Sequence, residues 1–203
     1  MAKITGYLSQ GRRVAIRHVC RQDYDELTAL ARDSAEMLRR WLGARDNTVE
    51  AFESYLERFE QPTHVGFVIC LRDTGAIVGG VNINNVLRGA LQSGTLGYTS
   101  YASTTGRGYM TEGLGLVIRF AFGVLELHRL EANIQPDNTS SLNLVERLGF
   151  RREGYSVAFQ YINGEWRDHE RWAITAETAR TAARPVNLPH RPAGEESEST
   201  RRR

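Results

Sequence analysis

A short glycine-containing loop, residues 105–110 with the sequence TGRGYM, lies between a predicted strand and the predicted start of an amphipathic helix. The first N–H groups of a helix have no partners within the helix, and the helix dipole makes that end positive, so such a loop is suited to hold a phosphate. The loop has neither the Gly-Lys-Ser/Thr of a P-loop nor the third glycine of a dinucleotide-binding fingerprint. It therefore predicts either an anion site or a tight turn before the helix.

A second polar element follows about thirty residues downstream, after one intervening strand. Asn138 and Ser141 stand at the start of a short predicted helix, and Leu148-Gly149-Phe150 stands at its end, with Gly149 where a C-cap glycine belongs. An amide and a hydroxyl at a helix start either cap the helix or reach a bound ligand. The order of loop, strand and Asn-headed helix is more informative than any one of these elements.

This order resembles the acetyl-CoA-binding core of the GNAT N-acetyltransferase superfamily. The loop of that superfamily reads Gln/Arg-x-x-Gly-x-Gly/Ala, and its following helix begins with Asn and ends in Leu-Gly-Phe. Asn138 and Leu148-Gly149-Phe150 match that pattern. Thr105 stands where Gln or Arg is usual, and Met110 stands where the last Gly or Ala is usual. Both positions act mainly through backbone N–H groups, so we expect pyrophosphate binding to be retained.

Three further features are similar to the RimJ/RimL-type enzymes, which acetylate the N-terminal α-amine of ribosomal proteins. They are the Asn138–Ser141 spacing, the stretch from Asn82 to Gly89 and the stretch from Gly164 to His169, of which the last two indicate the RimJ branch. The resemblance covers about residues 12–175. It implies the GNAT fold and acetyl-CoA as co-substrate.

The resemblance also implies which residues hold acetyl-CoA. The backbone of the strand before the loop pairs with the pantetheine arm, the loop binds the pyrophosphate, and Arg107 adds a charge contact unless it is simply solvated. The implied cofactor-binding residues are Tyr98, Thr99, Ser100, Thr105, Gly106, Arg107, Gly108, Tyr109, Met110, Asn138 and Ser141.

Acetyl transfer to an amine needs a neutral amine, a donor for the developing oxyanion and a proton for the leaving thiolate. By resemblance, a backbone N–H near Ser100 serves the oxyanion and Ser141 protonates the thiolate, because Val145 occupies the more usual tyrosine position. Asn138 would hold the pantetheine arm or an active-site water. The alternative for Ser141 and Asn138 is helix capping.

A general base is harder to assign. RimL-type members use a glutamate near the strand that precedes the loop, but this chain has no Asp or Glu between Asp73 and Glu112. Glu131 on the next strand is a candidate base acting through water, and a solvent-facing strand carboxylate is the alternative. A free α-amine, with a pKa near 7.7 to 8.0, is about one-tenth neutral at pH 7, whereas a lysine is neutral about once in 2,500. An N-terminal acceptor therefore has less need of a strong base.

Three functional hypotheses follow. The leading one is an acetyl-CoA-dependent acetyltransferase for the N-terminal α-amine of a protein, in particular a ribosomal protein beginning with Ala or Ser. The second keeps the chemistry but acts on a small-molecule amine, for which we would expect a strongly acidic acceptor pocket. The third is a non-catalytic CoA-binding module in ribosome assembly.

The composition excludes several other classes of protein. The 203 residues are 41% hydrophobic and 25% charged, without an apolar run long enough for a membrane span or a signal peptide, so we expect a cytoplasmic protein. The 26 Lys and Arg exceed the 24 Asp and Glu by two, and that excess lies entirely after residue 183. We therefore expect no direct nucleic-acid binding by the core. The five histidines lack metal-ligand spacing, so we expect no metal cofactor.

The elements that must position these residues follow from hydrophobic periodicity. Alternation of Val14 and Ile16 with Ala15 and Arg17 predicts a half-buried first strand, and Asp23 predicts the start of a helix that breaks near Ser34. We predict an α+β GNAT fold with a mixed, mostly antiparallel sheet of about seven strands and about four helices. One domain would span residues 1–179, followed by a disordered tail at 180–203, in a monomer or homodimer.

Overall fold

The computed structural model describes residues 6–43 and 46–182. These residues form eight strands and six α-helices. The strands are β1 (Ser9–Gln10), β2 (Val14–His18), β3 (Val65–Leu71), β4 (Ile77–Leu87), β5 (Ser93–Ser100), β6 (Arg129–Ile134), β7 (Arg151–Ile162) and β8 (Glu165–Thr175). The helices are α1 (Tyr24–Asp33), α2 (Ala35–Leu42), α3 (Val49–Glu57), α4 (Tyr109–Gly123), α5 (Thr139–Arg147) and α6 (Ala176–Ala182).

The strands form one sheet in the order β1-β2-β3-β4-β5-β6-β8-β7. Every neighbouring pair is antiparallel except β5 and β6, which run parallel and are connected through α4. The predicted mixed, mostly antiparallel α+β sheet is confirmed. The additional strand is β1, whose two residues are too few to show a period. The additional helices are α6 and the second half of the first predicted helix, which breaks at Ser34 as expected.

Two hydrophobic clusters lie on opposite faces of the sheet. Leu114 and Val117 of α4 and Val145 of α5 pack on one face, against Ile16, Phe67 and Leu130. Leu38 of α2 packs on the other face against Val68 and Tyr101, with partly buried residues of α1 and α3 around it. The central strands are therefore buried on both sides, and successive side chains enter different clusters.

This double burial corrects the prediction of a half-buried β2. Val14 to Arg17 are all buried, and Arg17 is only 5% exposed. Its guanidinium donates two hydrogen bonds to the Asp23 carboxylate, at 2.8 and 2.6 Å. Asp23 therefore lies under the start of α1 as the partner of a buried cation, and its side chain makes no capping hydrogen bond to the helix. A buried charge needs such a partner to offset its lost hydration.

The turn signals of the C-terminal half are confirmed. Gly149 has a φ of +89° after α5, as expected of a left-handed C-cap. Asn163 and Gly164, with φ of +53° and +84°, join β7 to β8, and two positive φ values are what a type I′ hairpin turn requires. Helix α6 runs to Ala182, so its last three residues lie within the predicted tail. The rest of that tail, 183–203, lies outside the described residues.

Candidate active site

Strands β5 and β6 separate partway along their length, and this separation creates the central feature of the site. The parallel pairing joins Ser93–Leu96 to Arg129–Ala132 and ends there. Strand β5 continues to Ser100, still paired on its other side with β4. Residues 97–100 therefore present one unpaired backbone edge to the opening between the two strands. Such an edge can hydrogen-bond an extended ligand as if the ligand were another strand.

The glycine loop lies at the end of this opening, where α4 begins. Gly106 and Gly108 have φ of +78° and +75°, and Gly108 is the N-cap residue of α4. Among the described residues, no protein acceptor is bonded to the backbone N–H groups of residues 106–111. Because these groups converge at the positive end of a 15-residue helix, the loop fits the diphosphate of a coenzyme A molecule.

Thr105 and Met110, the two departures from the family pattern, have structural explanations. The N–H and hydroxyl of Thr105 both bond to the Tyr101 carbonyl, at 3.1 and 3.0 Å. The Thr105 N–H is therefore used inside the protein, which differs from the expectation that it serves the pyrophosphate. The Met110 thioether packs over Gly79 of β4, where a Cβ would collide with the sulfur. Its side chain therefore turns into the core, and its N–H stays at the helix start.

Arg13, which the sequence did not single out, fastens the loop. Its Nη1 donates to the Arg107 carbonyl at 2.9 Å, its Nε donates to Glu112 at 3.1 Å, and its guanidinium lies 5.0 Å from the centre of the Tyr109 ring. Its Nη2 lies 3.2 Å from where a Cβ on Gly108 would be. The absence of a side chain at Gly108 thus makes room for a cation beside the anion-binding N–H groups.

Glu112 completes this connection between the β1–β2 turn and α4. Its carboxylate also accepts the backbone N–H of Arg13 at 2.7 Å. Burial alone would raise the pKa of Glu112, but the hydrogen bonds from the backbone and side chain of Arg13 outweigh burial and lower that pKa. The carboxylate therefore stays charged and keeps the guanidinium beside the loop.

We predict that Arg13→Ala raises the KM for acetyl-CoA about five- to tenfold, because the loop loses both a fastening contact and a nearby positive charge. Since that charge acts on phosphate, the KM for S-acetylpantetheine, which lacks the diphosphate, should not change. Steady-state kinetics with the two acetyl donors checks this, with Arg12→Ala as the matched control at the exposed neighbouring residue. An equal loss with both donors would contradict a role at the phosphates.

Asn138 and Ser141 lie together at the start of α5, across the opening from β5. Asn138 is the N-cap, and its side-chain oxygen accepts the Ser141 N–H at 3.2 Å. The capping alternative therefore holds for the oxygen of Asn138, and the side-chain NH2 remains able to donate. Tyr98 of β5 donates from its hydroxyl to the Ser141 carbonyl at 3.4 Å, and Val145 is fully buried. The structure thus brings Tyr98, Asn138 and Ser141 together.

Glu131 lies on β6 within the paired region, in register with Thr95. One carboxylate oxygen accepts the Arg129 Nε at 2.8 Å, and the other is 3.9 Å from Arg171. Accepting a proton there would weaken an existing ion pair. Its role as a general base through water stays a prediction.

A cleft of about 340 Å³ reaches β5 from the face covered by α1 and α3. It ends on Gly97, Tyr98 and Thr99, the same residues that present the unpaired edge. Its other walls combine apolar and aromatic side chains, including Phe52, Tyr55 and Tyr101, with uncharged polar ones. Among the described residues that line it, the one acid is the exposed Asp46. The Thr48 backbone N–H lowers the pKa of Asp46. Two ligands entering from opposite faces would therefore meet at β5.

Comparison with known proteins identifies this arrangement. The family model described as an acetyltransferase (GNAT) domain matches residues 13–151. The chain belongs to the GNAT acetyltransferase family. The opening between β5 and β6, the glycine loop and the Asn-headed helix all lie within the matched GNAT domain, and the loop and unpaired strand edge fit coenzyme A. The predicted family, fold and co-substrate are confirmed.

Relatives and a solved structure match about four-fifths of this chain. The chain is 32% identical to the probable N-acetyltransferase YjcK of Bacillus subtilis over 81% of this chain and 95% of that protein. It is 32% identical to the [ribosomal protein uS5]-alanine N-acetyltransferase of Escherichia coli, over 80% and 88%. The structure of Mycobacterium smegmatis RimJ in complex with CoA-disulfide superposes with a TM-score of 0.76, at 31% identity over 83% and 87%. The protein is therefore an acetyl-CoA-dependent N-acetyltransferase of RimJ-like type.

Within the part of the chain that the structure describes, no group of three or more His, Cys, Asp or Glu side chains is arranged to hold a metal ion. In that same part, no helix is long and apolar enough to cross a membrane.

Proposed function

We propose that the acceptor is the N-terminal α-amine of a ribosomal protein. The cleft that ends on β5 supports this proposal, because among the described residues that line it Asp46 holds the one carboxylate. An acceptor with one positive charge and an otherwise uncharged peptide chain suits such a cleft, because burying further charges without partners would be costly. The relative from Escherichia coli is named for an alanine of ribosomal protein uS5, which supports an acceptor of this class.

The protonation equilibrium of the acceptor supports the same choice. The one acid predicted as a base, Glu131, is engaged with Arg129 and lies near Arg171. An enzyme with such a base works best on an amine that is already partly neutral at physiological pH. An α-amine is about one-tenth neutral at pH 7, whereas a lysine side chain is neutral about once in 2,500. We therefore infer that internal lysines are poor substrates.

When bound, acetyl-CoA supplies the acetyl group as a thioester, whose C–S bond breaks as the amine nitrogen forms the C–N bond, while the amine loses one proton and the CoA sulfur gains one. The backbone N–H groups of residues 106–110 and the side chain of Arg107 hold the diphosphate. Residues 97–100 hold the pantetheine arm through the β5 backbone. Ser141 supplies the proton to the sulfur, Asn138 donates to the pantetheine arm or a water, and Glu131 receives the proton of the amine through water. These roles remain our proposals.

We place the enzyme in the cytoplasm, where both Cys20 and Cys70 would remain free thiols, as they are in the structure. We also propose a single catalytic domain ending near the C-terminus of α6.

The proposal is tested in cells by mass spectrometry of ribosomal-protein N-termini. We expect a strain lacking this chain to lose acetylation at one or a few N-termini that begin with Ala or Ser, and the wild-type gene to restore it. The Ser141→Ala gene should not restore it, whereas the matched Ser140→Ala gene should. Unchanged acetylation of every ribosomal-protein N-terminus in the deletion strain would refute a ribosomal acceptor and favour a small-molecule amine as the acceptor.

A further inference from the structure

Asn133 is a partly buried residue of β6. Its side-chain oxygen is buried and has no hydrogen-bond partner among the described residues. It is the one such buried side-chain atom within residues 6–43 and 46–179. A buried carboxamide oxygen that stays unbonded destabilises a protein, so a group of this kind is usually paired by a water or a ligand.

The position of Asn133 indicates which ligand that is. The parallel pairing of β5 and β6 ends at Leu96 and Ala132, so Asn133 is the first residue of β6 beyond it. Leu130, Ala132 and Ile134 belong to the core under α4. Because side chains alternate along a strand, Asn133 lies on the opposite face, the face from which the cleft reaches β5.

The neighbouring polar groups do not satisfy this oxygen. Glu131, two residues earlier on the same face, is held by Arg129. Gln135, two residues later, donates from its side chain to the Trp41 carbonyl at 3.2 Å, which ties the end of β6 to α2. Arg171 is the backbone partner of Asn133 on β8, and its side chain is directed toward Glu131. Asn133 is therefore left between satisfied neighbours at the opening.

We propose that the Asn133 carboxamide oxygen accepts a hydrogen bond from the acceptor amine and so orients that amine for reaction. An uncharged oxygen can accept an N–H from both the protonated and the neutral amine, so it can hold the acceptor through deprotonation without acting as the base. The inference rests on the proposed function only in requiring an amine acceptor. Asn133 is then a substrate-binding residue that tolerates burial without a protein partner because the amine is its partner.

Asn133→Leu tests this inference, because leucine has a similar volume and no oxygen. We expect kcat/KM for an N-terminal Ala or Ser peptide to fall about tenfold, the effect of losing one hydrogen bond. The Kd for acetyl-CoA, measured by isothermal titration, should stay unchanged. The melting temperature of the variant should be unchanged or higher, because an unbonded buried oxygen has been removed. Asn133→Asp, which keeps an acceptor oxygen, should retain more activity than Asn133→Leu.

The control is Asn143→Leu, at an exposed asparagine of α5. Wild-type kcat/KM in Asn133→Leu would overturn the inference, as would a lower melting temperature together with weaker acetyl-CoA binding, which would indicate a structural role. If the wild-type enzyme bound acetyl-CoA but acetylated only a small-molecule amine, the proposed acceptor would fail, and the same comparison with that amine would still decide the role of Asn133.

Discussion

Replacing Ser141 with alanine will lower kcat about 100-fold or more, with a much smaller effect on the Kd for acetyl-CoA, to which Ser141 contributes at most one hydrogen bond. General acid catalysis contributes about 10²- to 10⁴-fold, and Ser141 lies at the start of α5 where the capping role is already filled by Asn138. Loss of the hydroxyl should therefore remove a proton donor without unfolding the helix. The steady-state rate of thiol release with an N-terminal Ala peptide gives kcat, and isothermal titration with acetyl-CoA gives the Kd.

Ser140→Ala is the matched control, because Ser140 is the exposed neighbour on the same turn. A wild-type kcat in Ser141→Ala would contradict the role of Ser141 as the proton donor. It would indicate that Tyr98 supplies the proton, because the Tyr98 hydroxyl reaches the same turn. Burial raises the pKa of Tyr98 to about 12, so this hydroxyl stays protonated throughout the working pH range. In that case Tyr98→Phe, rather than Ser141→Ala, should lower kcat.

Gly108→Val is expected to weaken acetyl-CoA binding about 100-fold. A β-branched residue is strained at a φ of +75°, and strain of this kind costs about 1–3 kcal/mol. The new Cβ would also lie 3.2 Å from Arg13 Nη2, so relief of that crowding displaces the guanidinium from the loop. Each 1.4 kcal/mol corresponds to about a tenfold change in Kd. Isothermal titration with acetyl-CoA measures the loss directly.

Gly123→Val provides the control for this substitution, because Gly123 ends the same helix with open space around it and no positive φ. We expect its Kd to match that of the wild-type enzyme. A Gly108→Val variant that binds acetyl-CoA normally would contradict the assignment of the loop as the diphosphate site.

Local patterns were sufficient to predict most of the fold. The Asn163-Gly164 hairpin, the Gly149 cap and the break at Ser34 depend on residues close together in the sequence, and the structure contains all three. The burial of Arg17 was not predictable in this way. Its alternation with apolar neighbours is the same for an exposed and a buried strand face, and only the approach of Asp23 decides between them.

The parts of the site that belong to a local sequence motif could be predicted. The glycine loop and the start of α5 belong to this class. Arg13 was missed because its partners Arg107 and Glu112 lie 94 and 99 residues away, and no local signal marks an arginine that will meet a distant helix start. Asn133 was missed because an asparagine in a strand has no periodic signature, and its significance depends on where the pairing of β5 and β6 ends.

We expect this chain to transfer acetyl groups from acetyl-CoA to an N-terminal α-amine. The most direct test is isothermal titration of the full chain with acetyl-CoA, followed by thiol release with an N-terminal Ala or Ser hexapeptide set beside an internal-lysine peptide. We expect binding with a stoichiometry of about one, turnover of the hexapeptides and little turnover of the lysine peptide. Binding without turnover of either α-amine peptide would contradict the proposed acceptor, and absence of binding would contradict the function as a whole.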